Sequence, residues 1–132
     1  MEFNDALFSY LSIYPGLTAL VGDRIYPDIL PQKAITPAIA MQLISRVRVH
    51  LFQQDSDLPR SRYQFSIYAL SRAISKAVAK QLRLALQNYN GVMGGPGGVT
   101  VNAVELDSEI DDYEPNTELY STKMDFLIWH EE

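Results

Sequence analysis

The residues able to do chemistry are few and scattered. His50 and His130 are the only histidines, and neither belongs to an H-E-x-x-H helix or a comparable ligand spacing, so no metal site is expected. Each reads as a strand-end histidine, solvated or hydrogen-bonded. Gly94-Gly95-Pro96-Gly97-Gly98 has the glycine density of a phosphate cradle. A P-loop, however, needs a Lys-Ser/Thr pair at a helix start, and here Val99-Thr100 follows. The run therefore reads as a chain reversal between a helix and a strand. Glu105, Asp107, Glu109, Asp111, Asp112, Glu114 and Glu118 could offer oxygens to calcium, but residues 105–118 hold no glycine for the sharp turn of an EF-hand loop. They read as an acidic edge, solvated or facing an interface. The chain has no cysteine, which removes disulfides, thiolate metal sites and a cysteine nucleophile. There is no G-x-S-x-G elbow either, so no catalytic residue and no cofactor is expected.

Charge is unevenly distributed. The net charge of -5 argues against a nucleic-acid binder, which needs a surplus of exposed cations. Residues 24–83 nevertheless hold ten of the eleven bases against Asp28, Asp55 and Asp57, whereas residues 84–132 hold ten acids against Lys123 alone. The stripe Arg72, Lys76, Lys80 and Arg83 falls at helical spacing and reads first as the wet side of an amphipathic helix. A basic middle and an acidic end could also meet across copies arranged head to tail.

These residues need a scaffold, and 132 residues with 47% hydrophobic content suit one domain over 1–132 with one core. No apolar run is long enough to span a membrane, and the start MEFNDALF lacks a basic n-region, so a reducing compartment without a membrane is expected. Asn4 predicts an N-cap for a helix from Asp5, with Phe3 and Phe8 as a staple and Leu7, Phe8, Leu11 and Tyr14 facing inward. Pro15-Gly16 breaks it, and Leu17 to Val21 make a further turn closed by Gly22. Ile25-Tyr26 is a short extended piece before a surface loop punctuated by Pro27, Pro31 and Pro37. Strands are predicted from Ala38 to about Val49 and from Arg62 to Ala69, joined by a long mobile loop, Gln53 to Pro59. Ser71 caps a helix with Ile74, Ala77, Val78, Leu82, Ala85 and Tyr89 inward. A strand follows over about Val99 to Leu106, then an acidic loop. In the last strand Tyr120, Thr122, Met124, Phe126, Ile128 and His130 face the core, and Ser121, Lys123 and Asp125 face water. The expected class is α+β: an antiparallel four- to five-stranded sheet with two main helices packed on one face.

Two segments carry a family resemblance. Ala6-Leu7, Leu11-Ser12, Pro15, Leu17 to Pro27 (LTALVGDRIYP) and Pro31-Gln32 resemble the opening of the tail-completion, or tail-terminator and head-tail joining, family of long-tailed phages. Asp112-Tyr113-Glu114-Pro115, Thr117, Leu119-Tyr120, Asp125-Phe126 and Trp129-His130 resemble its closing pattern, so the likeness spans nearly the whole chain. Members are similar in architecture to the minor tail protein U of lambda-like phages. The resemblance implies a structural protein without catalytic residues. It implies a homo-oligomer, a hexameric ring that ends the tail tube and offers a surface to a head-completion or connector protein. The protein would then be made in the host bacterial cytoplasm and reside in the virion tail.

A closed ring needs two different, complementary surfaces on each copy. The uneven charge suggests Arg46, Arg48, Arg72 and Lys76 of one copy meeting Asp111, Asp112 and Glu114 of the next. The loop with Gln53, Gln54, Asp55 and Asp57 would face the lumen or a neighbour. The competing reading is a small nucleic-acid or regulatory binding module using Tyr63, Phe65 and Tyr68 or the basic helix. A hydrolase is third, with no residues to support it.

Overall fold

Ser71 lies two residues past the end of a strand and starts the helix that covers the sheet. Its hydroxyl accepts the Ile74 amide at 3.2 Å, a cap contributing roughly 1 kcal/mol. The helix buries Ser75, Val78, Ala79, Leu82, Ala85 and Leu86. Ile74 and Ala77, expected inside, are exposed instead. Ser75 takes the inner position because its hydroxyl donates to the Arg72 carbonyl and accepts from Arg72 Nη1 at 3.4 Å, with Thr122 Oγ1 3.2 Å away, so burying it leaves nothing unsatisfied.

The structure, a computed structural model, describes residues 2–51 and 54–131, with side chains described outside 49–58. The element order is α1 (Phe3–Ser12), α2 (Pro15–Val21), β1 (Ile25–Pro27), β2 (Ala38–Leu51), β3 (Gln54–Ala69), α3 (Arg72–Leu86), β4 (Gly91–Met93), β5 (Val99–Glu114) and β6 (Leu119–His130). The strands make a six-stranded sheet in the order β1-β2-β3-β6-β5-β4. The core lies between the helices and one sheet face, from Leu7, Leu11 and Leu17 through Val78 and Leu82 to Tyr63, Phe65, Ile67, Met124, Phe126 and Ile128. Among the described residues no helix is long and apolar enough to cross a membrane.

The α+β class holds, with three corrections to the expected sheet. It has six strands, and it is mixed, because β1 pairs parallel with β2, with Ile25 opposite Ile39. The stretch read as a loop, Gln53 to Pro59, is largely strand. Gln53 lies outside the described residues, but β3 begins at Gln54, with Gln54 opposite Leu51 and Asp55 opposite His50. Backbone pairing here overrides the polar, proline-marked composition. The acidic loop is also a strand: β5 continues to Glu114, paired with β6 as far as Leu119.

At the N-terminus α1 starts at Phe3, with Glu2 as an N-cap lacking a side-chain bond. Asn4 is no cap. Its Oδ1 accepts the Tyr63 hydroxyl at 3.2 Å, and Phe3 stacks on His130 with ring centroids 3.8 Å apart. Phe8, expected inward, is 39% exposed.

Candidate functional site

β5 carries Glu105, Asp107, Glu109 and Asp111 at every second position, and a β-bulge between Leu106 and Ser108 redistributes them. Residues directly opposite one another share a sheet face. Glu109 and Asp111 stand opposite the buried Met124 and Thr122, hence on the helix-covered face. Ser108, Ile110, Asp112 and Glu114 stand opposite Asp125, Lys123, Ser121 and Leu119, on the bare face.

On the covered face α3 reaches down to this strand. Lys76 Nζ donates to Glu109 Oε2 and, at 3.3 Å, to Asp111 Oδ1. Arg72 lies 3.5 Å from Asp111. It also donates to the Ser121 and Asp112 carbonyls, both at 2.7 Å, and its guanidinium sits 5.2 Å above the Tyr120 ring. The bond to Glu109 is the main cause raising the Lys76 pKa. Partial burial alone would raise Asp111. Hydrogen bonds from Thr122 and Lys76, with the charges of Lys76 and Arg72, prevail and hold it below the usual carboxylate range. On the bare face Arg62 spans three strands, 2.7 Å from Asp107 and 3.4 Å from Asp125.

Of the residues expected at a subunit contact, the fold therefore brings Arg72, Lys76 and Asp111 together inside one chain. The Asp112 carboxylate accepts its neighbour's amide at Tyr113, and Glu114 accepts that of Asn116. Arg46 and Arg48 lie elsewhere, on β2, separated from β5 by β3 and β6. Among the described residues, Glu105, Asp112 and Glu114 have no cation partner, and Arg46 and Arg60 have no carboxylate partner. The unmatched acids sit on β5, towards one edge of the sheet, and Arg46 sits on β2, towards the other, with Arg60 on β3 and the likewise unpaired Lys123 on β6 between them. Gln54, Asp55 and Asp57 lie in the arm that β3 forms with β2.

Sequence reasoning missed a buried polar relay. Arg46 Nε donates to Ser61 Oγ at 2.8 Å, Ser61 Oγ lies 2.7 Å from His130 Nε2, and His130 Nδ1 lies 2.8 Å from the Glu131 carbonyl. The network assigns the proton to Nδ1, with Ser61 donating to Nε2. Burial lowers the His130 pKa, the Glu131 carbonyl opposes this, and the charges of Arg46 and Arg48 add to the lowering. A serine within reach of a histidine is the geometry of a nucleophile and its base. Here both are fully enclosed, Ser61 at 0% and His130 at 1% exposure, and the serine oxygen is held by an arginine. The relay works as a structural tie between β2, β3 and β6.

The bare face forms a groove of about 850 Å3 between loop residues 28–36 and Gln64, Ser66, Tyr68, Asp112 and Lys123. Tyr63 and Phe65 are fully buried beneath the helices, so the aromatic platform of the nucleic-acid reading does not exist. Among the described residues no group of acids and histidines is placed to hold a metal ion.

The model of the family described as tail completion protein gp17 matches residues 5–131. None of the curated proteins is a significant match. Among solved structures, a chain of the virion of a native gene transfer agent particle is similar in fold. Its TM-score is 0.71 at 15% identity, covering 96% of this chain and 92% of that one.

Proposed function

The chain belongs to the tail completion protein gp17 family, and from that premise we propose that its copies close into a ring, six in number, at the head-proximal end of a phage tail tube. Its role is structural, and its place is the virion tail. In the proposed role one face of the ring stops tube growth on the tail tube protein, and the other receives a head-completion or connector protein.

The observation that carries the ring reading is the separation of unmatched charge on one sheet: Arg46 on β2 towards one edge, Glu105, Asp112 and Glu114 on β5 towards the other. Two unlike, complementary surfaces on one copy favour a head-to-tail contact, and such contacts close into rings when the rotation returns on itself. The family membership supplies the tail, and the likeness to a chain of a phage-like particle agrees in fold.

Removing the gene from a producing phage tests the role. The expected result is full heads beside unjoined tails of irregular length, with joining restored when the protein is supplied. Joined virions with tails of normal length in its absence would overturn it.

A further inference from the structure

Two stretches of sheet edge are left open, and they are unlike. β1 covers β2 only as far as Met41, opposite Pro27, so among the described residues no strand lies outside 42–51. β4 covers β5 only from Val99 to Val101, so residues 102–114 have none either. Among the described residues the sole backbone bond to that outer side of β5 is from the Asn88 amide to the Val104 carbonyl. A long open edge is a template for another strand.

We propose that the open edge of β2 in one copy pairs antiparallel with the open edge of β5 in the next, so that one sheet continues through the assembly. The inference rests on the ring reading above and names the surface that makes it.

Strand direction agrees. β2 and β3, β3 and β6, and β6 and β5 are each antiparallel, so β2 and β5 run oppositely, and copies related by a ring rotation with strands tilted to its axis bring them together antiparallel.

Backbone phase agrees as well. On β2 the Ile39 amide bonds Arg24 and the Met41 carbonyl bonds Asp28, so those residues point to the outer side. Met41, Leu43, Arg46 and Arg48 stand opposite Phe65, Tyr63, Ser61 and Pro59, every second residue of β3, which carries the outward phase past the bulge to Arg46 and Arg48. On β5 the Val104 carbonyl points outward. Val104, Leu106, Glu109 and Asp111 stand opposite alternate residues of β6, from Ile128 to Thr122. Glu109 and Asp111 therefore also point their backbone outward. One register joins these groups: Arg46 against Asp111 and Arg48 against Glu109 as hydrogen-bonded pairs, with Val47 against Ile110 between them.

The side chains fit that register. Arg46 and Arg48 share the covered face with Glu109 and Asp111, and Val47 and Ile110 share the bare face, where they are 47% and 60% exposed. The arginines would join the acids already bridged by Lys76 and Arg72, so the pairing expected from sequence is kept in part, through β2. The open stretches lie at diagonal corners, since Ser108 is level with Gln42 across the sheet. Matching them shifts each copy by about six residues, or ~20 Å, along the strands. Over the four long strands that is about 1.5 residues per strand, a stagger that a closed ring meets by tilting its strands to the ring axis.

Because the chain has no cysteine, a disulfide reads this contact directly. A non-hydrogen-bonded antiparallel pair holds its Cα atoms at about 4.5 Å, within disulfide range. Val47→Cys with Ile110→Cys in one chain, oxidised after its reduced form has been weighed by light scattering, is expected to give a ladder of linked copies on a non-reducing gel. The two single variants mixed should stop at dimers, and neither alone should link. Multi-copy mass without links, also with Val47→Cys combined with Ser108→Cys or Asp112→Cys, would overturn the edge pairing and leave the ring. Linking of Val47→Cys to itself would overturn it in favour of a two-fold contact. A reduced protein that stays single, alone and with tail tubes, would overturn the ring and the pairing with it.

Discussion

Replacing Ser61 with alanine separates a structural tie from a reactive pair. The hydroxyl is fully buried, donates to His130 Nε2 and accepts from Arg46 Nε. Arg46 is only partly buried and can turn to water or keep its 3.3 Å bond to the Tyr63 hydroxyl. His130 cannot, being enclosed under Phe3. The main cost is therefore one buried ring nitrogen without its donor, ~1–3 kcal/mol and about 2 kcal/mol as a central value. With a urea slope of ~2 kcal/mol per molar, the unfolding midpoint should fall by ~1 M. The assay is urea unfolding followed by circular dichroism at one protomer concentration, because association would otherwise shift the midpoint. A midpoint within ~0.2 M of the parent, equivalent to ~0.4 kcal/mol, would refute the tie.

Three further outcomes follow from the same geometry. The His130 pKa lies below its ordinary value near 6.5, so between the two values the unfolded chain binds the extra proton. Stability should be full above pH ~6.5 and fall as pH drops towards the folded-state value, and His130→Gln should flatten that slope in urea midpoints measured from pH 7.5 to 5. Arg72→Ala removes two carbonyl bonds and a ring contact that hold the β5–β6 hairpin to α3. It should cost ~1–2 kcal/mol by urea unfolding, and Arg72→Lys should not restore it, because a single ammonium lacks the planar fork. Gly98→Ala would place a Cβ 2.1 Å from the Met93 carbonyl oxygen. A loss of ~2 kcal/mol or more is expected on thermal unfolding, and an unchanged midpoint would contradict the packing of that turn.

Periodicity made much of the fold legible. The alternation from Tyr63 to Ala69 and from Thr122 to His130 places the correct side chains in the core, and Ser71 caps α3 as its type suggests, whereas Tyr120, expected inside, is half-buried and Ser121, expected to face water, is buried. Composition obscured the rest. Residues 105–111 alternate acids with Leu106, Ser108 and Ile110, a strand pattern hidden by attention to their charge. β1 is three residues long and ends in proline, so no period could reveal its parallel pairing. Asn4 has the chemistry of a cap, but a tertiary bond to Tyr63 takes it.

The site was legible as charge and illegible as geometry. Arg72 and Lys76 carry the right sign to meet Asp111, and only the fold shows that they do so within one chain. Arg46 and Arg48 stand out in sequence as part of a basic middle. Their outward backbone phase depends on a bulge between Leu43 and Ser45 that no local pattern announces.

The central claim is that copies associate head to tail into a closed ring on a tail. Absolute mass, measured by light scattering behind a sizing column at low and high salt, with and without purified tail tubes, tests it most directly. The account predicts a discrete species at six times the 14.9 kDa of one copy, loosened by salt because the contact charges are partly exposed and screened, and retained on tube ends. A single-copy mass at every concentration, with no retention on tubes, would contradict it.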